Sequence, residues 1–295
     1  MTTRGTGSRQ KESNRVRDLR IVPFTSRDIS FVKRLNDAED WDITIADLER
    51  LTRLEPKGSF KAVTNGEDIG TTACVVFGRV AWIHSVVVRK DFRGLGVGDT
   101  LMRACLDFLN GSGVTCVKLD SELGVEPFYE RFGFRREFFS MRFVRVGGSF
   151  RTSAKRLGPA DYEDICDFDR MWTGLDRRRV LKAIFKDFPQ SGFIVRNQGK
   201  VSGYAMIRKG RRLDSIGPCV VSEADGIVAQ DLLQAALNSA PASKFRACVG
   251  GFNHASCKLM KGLGFRKESS CTRMFLGKPF RESDATFAMI SAQKG

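Results

Sequence analysis

Between Trp82 and Asn110 the chain reads WIHSVVVRKDFRGLGVGDTLMRACLDFLN, a β-branched run that breaks into Arg93-Gly94-Leu95-Gly96-Val97-Gly98 and passes at once into helical periodicity. A strand, a tight glycine turn and a helix N-terminus aim several backbone N–H groups and the positive end of the helix dipole at one point, which is the chemistry of phosphate binding. Gly94, Gly96 and Gly98 permit positive φ and close approach of a ligand to the backbone, and Arg93 adds a fixed positive charge at the mouth. Two familiar phosphate loops do not fit. A P-loop needs Lys-Ser/Thr after its last glycine, where this chain has Asp99-Thr100. The dinucleotide fingerprint needs G-x-G-x-x-G, where this chain has G-x-G-x-G.

What remains is V-x-x-x-x-R-x-x-G-x-G, running from Val88 through Arg93 and Gly96 to Gly98. That pattern resembles the acetyl-CoA pyrophosphate loop of the GNAT family of N-acetyltransferases. Further on, Val114–Asp120 reads as a second strand and leads to Phe128-Tyr129-Glu130-Arg131-Phe132-Gly133-Phe134-Arg135. The latter resembles the closing helix and strand of a GNAT domain, in which the tyrosine lies near the thioester sulfur. The resemblance implies acetyl-CoA as co-substrate. It would be held by Val86, Val87 and Val88 of the strand and by Arg93, Gly94, Leu95, Gly96, Val97, Gly98 and Asp99 of the loop. Tyr129 would protonate the leaving thiolate.

Amide formation also needs a base for the attacking amine. His84 is one candidate, because strand parity places it on one face with Val86 and Val88 and it titrates near neutrality. Asp120, Glu122 and Glu126, which close or follow the second strand, are rivals. The remaining histidine, His254, reads as packing or as a helix cap. No Cys-His or Ser-His pairing suggests a covalent intermediate, so the expected mechanism is direct attack in a ternary complex. Two histidines and eight cysteines without a C-x-x-C pair give no metal-site spacing, and no metal is expected. Cys74, Cys105 and Cys116 fall in apolar patterns and read as buried thiols of a reducing compartment.

The elements that must position these groups occur twice. Gly133-Phe134-Arg135-Arg136-Glu137 returns as Gly264-Phe265-Arg266-Lys267-Glu268, and Gly58-Ser59-Phe60 with Ile69-Gly70 is echoed by Gly192-Phe193 with Val201-Ser202-Gly203. Helices are expected over Ser26–Arg34, Thr44–Arg53, Asp161–Cys166, Asp176–Phe185 and Ala229–Asn238, and a strand hairpin follows the early helix of each half. In the second half the place of the phosphate loop is taken by Ile216-Gly217-Pro218-Cys219-Val220-Val221-Ser222-Glu223-Ala224-Asp225-Gly226, which has no arginine-glycine cradle and a pair of acids that would repel pyrophosphate. The strings Gly203-Tyr204-Ala205-Met206, Ile216-Gly217-Pro218, Phe252-Asn253-His254-Ala255 and Arg273-Met274 resemble the C-terminal domain of tandem, YitH-like GNAT proteins. In the first half, Trp41, Glu55-Pro56-x-Gly58-x-Phe60 and Ala81-Trp82-Ile83 fit the same type. The expected fold is therefore α/β, with two tandem GNAT-like domains, each a mixed, mostly antiparallel central sheet flanked by helices. The expected boundaries are a disordered basic tail at 1–19, a catalytic domain at 20–147, a second GNAT-like domain lacking the pyrophosphate loop at 148–280, and a C-terminal tail at 281–295.

At 295 residues, two domains are the natural size prior. The net charge of +15 is uneven: the excess is +4 in residues 1–20, zero in 21–149 and +11 in 150–295. A solvated face, helped by attraction for anionic CoA, is the favoured reading of runs such as Arg177-Arg178-Arg179. A basic nucleic-acid-binding protein and a non-catalytic acyl-CoA sensor or scaffold stand as alternatives, although nucleic acid is not the expected partner because the nearby aromatics read as core. No apolar run approaches the ~18 residues of a membrane span and residues 1–20 contain no signal-peptide core, so the expected compartment is the cytoplasm, with a transit peptide as the alternative for the tail. The expected acceptor is a small-molecule amine or amino acid, a protein acceptor being the alternative.

Overall fold

The protein is described by a computed structural model covering residues 16–291. Most of the expected basic tail and residues 292–295 lie outside the described residues. Residues 16–19 already belong to the fold, since the Asp18 carboxylate accepts the Thr64 hydroxyl at 2.9 Å and the Asn65 amide at 2.8 Å. Contacts divide the described residues into two compact units, one holding residues 16–76 with Ile83–Val114, the other Phe77–Trp82 with residues 115–291.

In the first unit β1 (Arg20–Pro23), β2 (Ser59–Thr64) and β3 (Glu67–Phe77) pair antiparallel in that order. Asn65 and Gly66 join β2 to β3, both at positive φ, which matches the turn to the strand twist. Two helices follow β1: α1 (Ile29–Ala38) and α2 (Ile45–Leu54). α2 starts at Thr44, whose hydroxyl accepts the Asp47 amide at 3.0 Å while the Asp47 carboxylate accepts the Thr44 amide at 3.2 Å. Their apolar faces bury Val32, Leu35 and Leu48 with Ala73 of β3 and Val87 of β4 (Val80–Val88). α3 (Val97–Gly111) lays Val97 and Leu101 on Ala62 and Ile69. Gly70 makes that approach possible, because a Cβ there would stand 3.0 Å from the Val87 carbonyl oxygen and 3.1 Å from Leu101 Cδ1. Gly203 does the same in the second half, beneath Val228 and Leu232.

The second unit contains the start of β4, Val80–Trp82, paired in parallel with Cys116–Lys118 of β5 (Cys116–Glu122). Beyond β5 the order is β12 (Arg266–Gly277), β6 (Arg135–Val146), β11 (Lys244–Gly250), β10 (Asp214–Val221), β9 (Lys200–Arg208), β8 (Gly192–Asn197) and β7 (Lys155–Arg156). The final strands of the two sequence halves are therefore exchanged: β12 stands beside β5, and β6 beside β11. The expected boundary at 147/148 follows β6 in the chain but does not separate the sheet, whose ladders run β5–β12–β6–β11 without a break. Buried charges account for the exchange in part, since Lys118 and Asp120 of β5 find their partners on β6 and β12. The flanking helices are α4 (Glu126–Glu130), α5 (Tyr162–Thr173), α6 (Arg178–Asp187), α7 (Gly226–Asn238) and α8 (His254–Gly262).

Part of the expected C-terminal tail joins the sheet. Residues 286–288 form β13 (Thr286–Ala288), antiparallel to β10, and Ala285, Phe287, Met289 and Ile290 are buried. Its apolar composition, T-F-A-M-I, is what a buried edge strand needs. The Arg177–Arg179 run is also not a solvated face throughout. Arg177 is buried and grips the buried Asp169 carboxylate through Nε (3.0 Å) and a terminal nitrogen (2.5 Å), while Tyr204 donates to the same carboxylate. Among the described residues no helix is long and apolar enough to cross a membrane.

Candidate functional site

The loop between β4 and α3 turns on Gly94 (φ +78) and Gly96 (φ +80), conformations that any L side chain adopts only with strain. A Cβ at either glycine would meet nothing within 4 Å, so the turn faces open space. The backbone N–H groups of Gly94, Leu95, Gly96, Val97 and Gly98 have no acceptor among the described residues. Five donors at the N-terminus of a 15-residue helix, with its dipole behind them, form an anion cradle. Arg93 stands at the rim, held by its Nε donating to the Val88 carbonyl at 2.9 Å and by an ion pair with Glu39 at 2.5 Å. Asp99 lies in the first turn of the helix, where a carboxylate suits the dipole. This donor set, with no Cβ in front of it, fits the pyrophosphate of a CoA ligand.

On β4, Ser85 has φ +54, so the strand bulges there. The Ser85 carbonyl accepts the Thr71 hydroxyl at 3.0 Å, and Val86, Val87 and Val88 follow. The bulge breaks the alternation on which the expected shared face of His84, Val86 and Val88 rested. His84 is buried, with Nδ1 3.1 Å from Ser85 Oγ.

Tyr129 lies on α4 in the second unit, 8 % exposed, with Phe128 and Phe134 in edge contact at 5.0 and 6.2 Å. No hydrogen-bond partner of its hydroxyl occurs among the described residues. Burial, with Glu122 and Cys271 nearby, pushes the phenol well above its usual range, so it keeps its proton. Two of the rival bases are already committed. Asp120 is bound by Arg273 (3.0 and 3.1 Å) and by Ser140 (2.6 Å), and Glu126 by the Thr272 hydroxyl (2.6 Å) and the Gly124 amide (2.7 Å). Glu122 is exposed. His254 is the exposed first residue of α8, and Asn253 supplies the cap by accepting the Ser256 amide at 2.9 Å. Burial pushes Cys219 up to about 12 and Cys271 to about 11, so neither is a thiolate nucleophile near neutrality. Among the described residues no group of three or more His, Cys, Asp or Glu gathers as a metal site.

The family model described as "Acetyltransferase (GNAT) family" matches residues 16–134, and that described as "Acetyltransferase (GNAT) domain" matches residues 165–287. The chain belongs to the GNAT acetyltransferase family. It carries a GNAT domain in each half. Holothin acyltransferase of a Pseudoalteromonas strain is 24% identical over 264 residues, 88% of each chain, and the uncharacterized N-acetyltransferase YitH of Bacillus subtilis is 24% identical over 185 residues, 60% of this chain and 64% of YitH. A putative acetyltransferase of Pyrococcus horikoshii superposes with a TM-score of 0.80 at 22% identity, covering 94% of this chain and 96% of that one. A tandem GNAT protein from the clavulanic acid biosynthesis pathway superposes with a TM-score of 0.65 at 13% identity, covering 90% of this chain and all of that one. These last two likenesses establish the tandem GNAT fold.

Sequence reasoning missed the residues that surround Asp120 and Glu126. Arg273 and Lys118 are fully buried; Glu282 accepts from both, at 2.9 and 3.0 Å, and Glu137 accepts from Lys118 at 2.8 Å. The sequence pattern pointed the other way, because Lys118 and Asp120 alternate with Val117 and Leu119 as in a strand with one solvated face, whereas Cys116–Leu119 are all buried and the charges find partners on neighbouring strands.

Proposed function

We propose that this GNAT protein transfers the acetyl group of acetyl-CoA to a primary amine, with a small-molecule amine or amino acid as the acceptor class. The observation that carries the proposal is the run of five unpartnered N–H groups from Gly94 to Gly98 at the head of α3. Acetyl-CoA would lay its pyrophosphate there, with Arg93 adding charge at the rim and the backbone of Val86–Val88 accompanying the pantetheine arm. The amine nitrogen attacks the thioester carbonyl carbon, the C–S bond breaks, and the thiolate takes a proton. Tyr129 is the donor assigned to that step; burial keeps its proton on near neutrality but also makes it a weaker acid than a free phenol, so the transfer depends on close positioning against the sulfur. The amine proton leaves to a base for which His84, Asp120, Glu122 and Glu126 are the candidates, and Asp120 and Glu126 would each have to give up strong hydrogen bonds to act.

Isothermal titration with acetyl-CoA tests the proposal, using the wild type and an Arg93→Glu, Gly96→Asp double variant. Binding to the wild type and none to the variant is expected. A wild type that binds no acetyl-CoA overturns the reading. Where binding is found, a panel of amines scored by thiol release identifies the acceptor.

A further inference from the structure

The second half presents the opposite of the open cradle. Ahead of α7 the loop Ser222-Glu223-Ala224-Asp225 makes its left-handed turn from ordinary residues, Glu223 at φ +52 and Ala224 at φ +54. The helix N-terminus is already closed by a carboxylate of the chain itself: Asp225 Oδ1 accepts the Ile227 amide at 2.8 Å and the Val228 amide at 3.2 Å. An anion therefore occupies the position that the first-half loop leaves to a ligand.

A second observation, independent of the loop, lies along the strands. β10 and β11 pair in parallel for three residues only, Asp214–Ile216 with Phe245–Ala247, as β4 and β5 do over Val80–Trp82. Two strands that part in this way leave buried N–H and C=O groups that a ligand, or the chain, must satisfy. Here the chain does so on both edges. Toward β10, β13 pairs with Cys219 and Val220, and the Val221 amide donates to the Ala285 carbonyl at 3.0 Å. Toward β11, the Met289 amide donates to the Cys248 carbonyl at 2.8 Å. α8 and its cap fasten the segment from outside: Asn253 Nδ2 donates to the carbonyls of Asp284 and Thr286, and Ser256 Oγ to that of Phe287 at 2.5 Å. At Gly217 a Cβ would collide with the Met289 carbonyl, so the approach is as close as backbone allows.

We infer that residues 284–290 and the Asp225 carboxylate are a built-in replacement for an acyl-CoA in the second half, the segment standing for the arm and the carboxylate for the phosphate. Each chain then takes up one acyl-CoA, at the Arg93–Gly98 loop. The inference rests on the reading of that loop as the acyl-CoA site. A second acyl-CoA would have to expel a segment whose Phe287 and Ala288 are fully buried and would gain only the hydrogen bonds that the segment already makes.

Hydrogen exchange on the full chain, with and without saturating acetyl-CoA, tests it alongside the titration stoichiometry. The expected result is one site per chain, new protection at Gly94–Gly98 on binding, and amides of Val221 and Met289 that are protected by more than ~100-fold before and after. Two sites per chain, protection at Val221 or Met289 that rises or falls on adding acetyl-CoA, or fast exchange of these amides without ligand would overturn the inference. Failure of the loop to bind is recognised separately: Gly94–Gly98 would gain no protection, and exchange at Val221 and Met289 would still decide whether the second half is filled.

Discussion

Thr272 Oγ1 donates to Glu126 Oε1 at 2.6 Å, joining the last long strand of the second half to the first residue of the helix that carries Tyr129. The bond is the main reason that the Glu126 carboxyl lies below its ordinary range, helped by backbone donors that include the Gly124 amide. A carboxyl depressed on folding stabilises the fold above its unfolded value of about 4.3, and that stability is lost as pH falls through the lower, folded value. Thr272→Val is expected to cost roughly 1.5 kcal/mol at pH 7. It should also make stability less steeply dependent on pH below about 4.3. Urea unfolding at several pH values measures both; equal losses at pH 7 and at pH 3 would show that the bond is not the cause of the depressed carboxyl.

Tyr129 should reveal itself through rate and not through binding. Tyr129→Phe is expected to lower kcat by about 10²–10⁴-fold and to leave the affinity for acetyl-CoA unchanged. Because its phenol is held above the ordinary range, the wild type should show no fall in kcat on the alkaline side up to about pH 10 that disappears in the Phe variant. A variant with full kcat removes Tyr129 from the mechanism.

The parts legible in the sequence were those governed by local chemistry. The glycine loop and the repeated hairpins were found where periodicity and turn residues placed them, and α2 starts one residue after the Thr44 expected to open it. Helix α5 extends to Thr173, well past the expected Cys166, because Phe168 and Asp169 are buried on tertiary partners that no local pattern reveals. The exchange of β6 and β12 was illegible for the same reason. Both strands carry similar G-F-R-x-E openings, and the choice of neighbour depends on long-range charge partners such as Asp120 with Arg273, 153 residues apart. The bulge at Ser85 left no signature, since serine does not announce a left-handed conformation.

The Arg177–Arg179 run separates structural charge from surface charge. Arg177→Ala strands the Asp169 carboxylate in a fully buried site, and a loss of about 3–5 kcal/mol is expected. Arg178, 40 % exposed, pairs with Glu163 and Asp167 at the surface, where water screens both pairs and Arg178→Ala should cost only a small fraction of that. Chemical denaturation of the two variants makes the comparison, and equal effects would mean that burial of the Arg177 pair contributes nothing.

Gly96 distinguishes a turn from a ligand cradle. At φ +80 and with nothing within 4 Å of an added Cβ, Gly96→Ala meets no steric neighbour in the protein, and its cost to stability is the left-handed backbone alone, about 1–2 kcal/mol. Gly111 ends the same helix without positive φ and is equally open, so Gly111→Ala is expected to stabilise by about 0.4–1 kcal/mol through the unfolded state and to leave acetyl-CoA affinity as it was. A methyl group at position 96, by contrast, projects into the space in front of five unpartnered N–H groups, and affinity for acetyl-CoA should fall by at least about tenfold, the equivalent of about 1.4 kcal/mol or one good hydrogen bond. Thermal unfolding and titration of both variants resolve the matter: a Gly96→Ala protein that is less stable yet binds as tightly as the wild type would make the glycine a requirement of the turn and move the phosphate elsewhere.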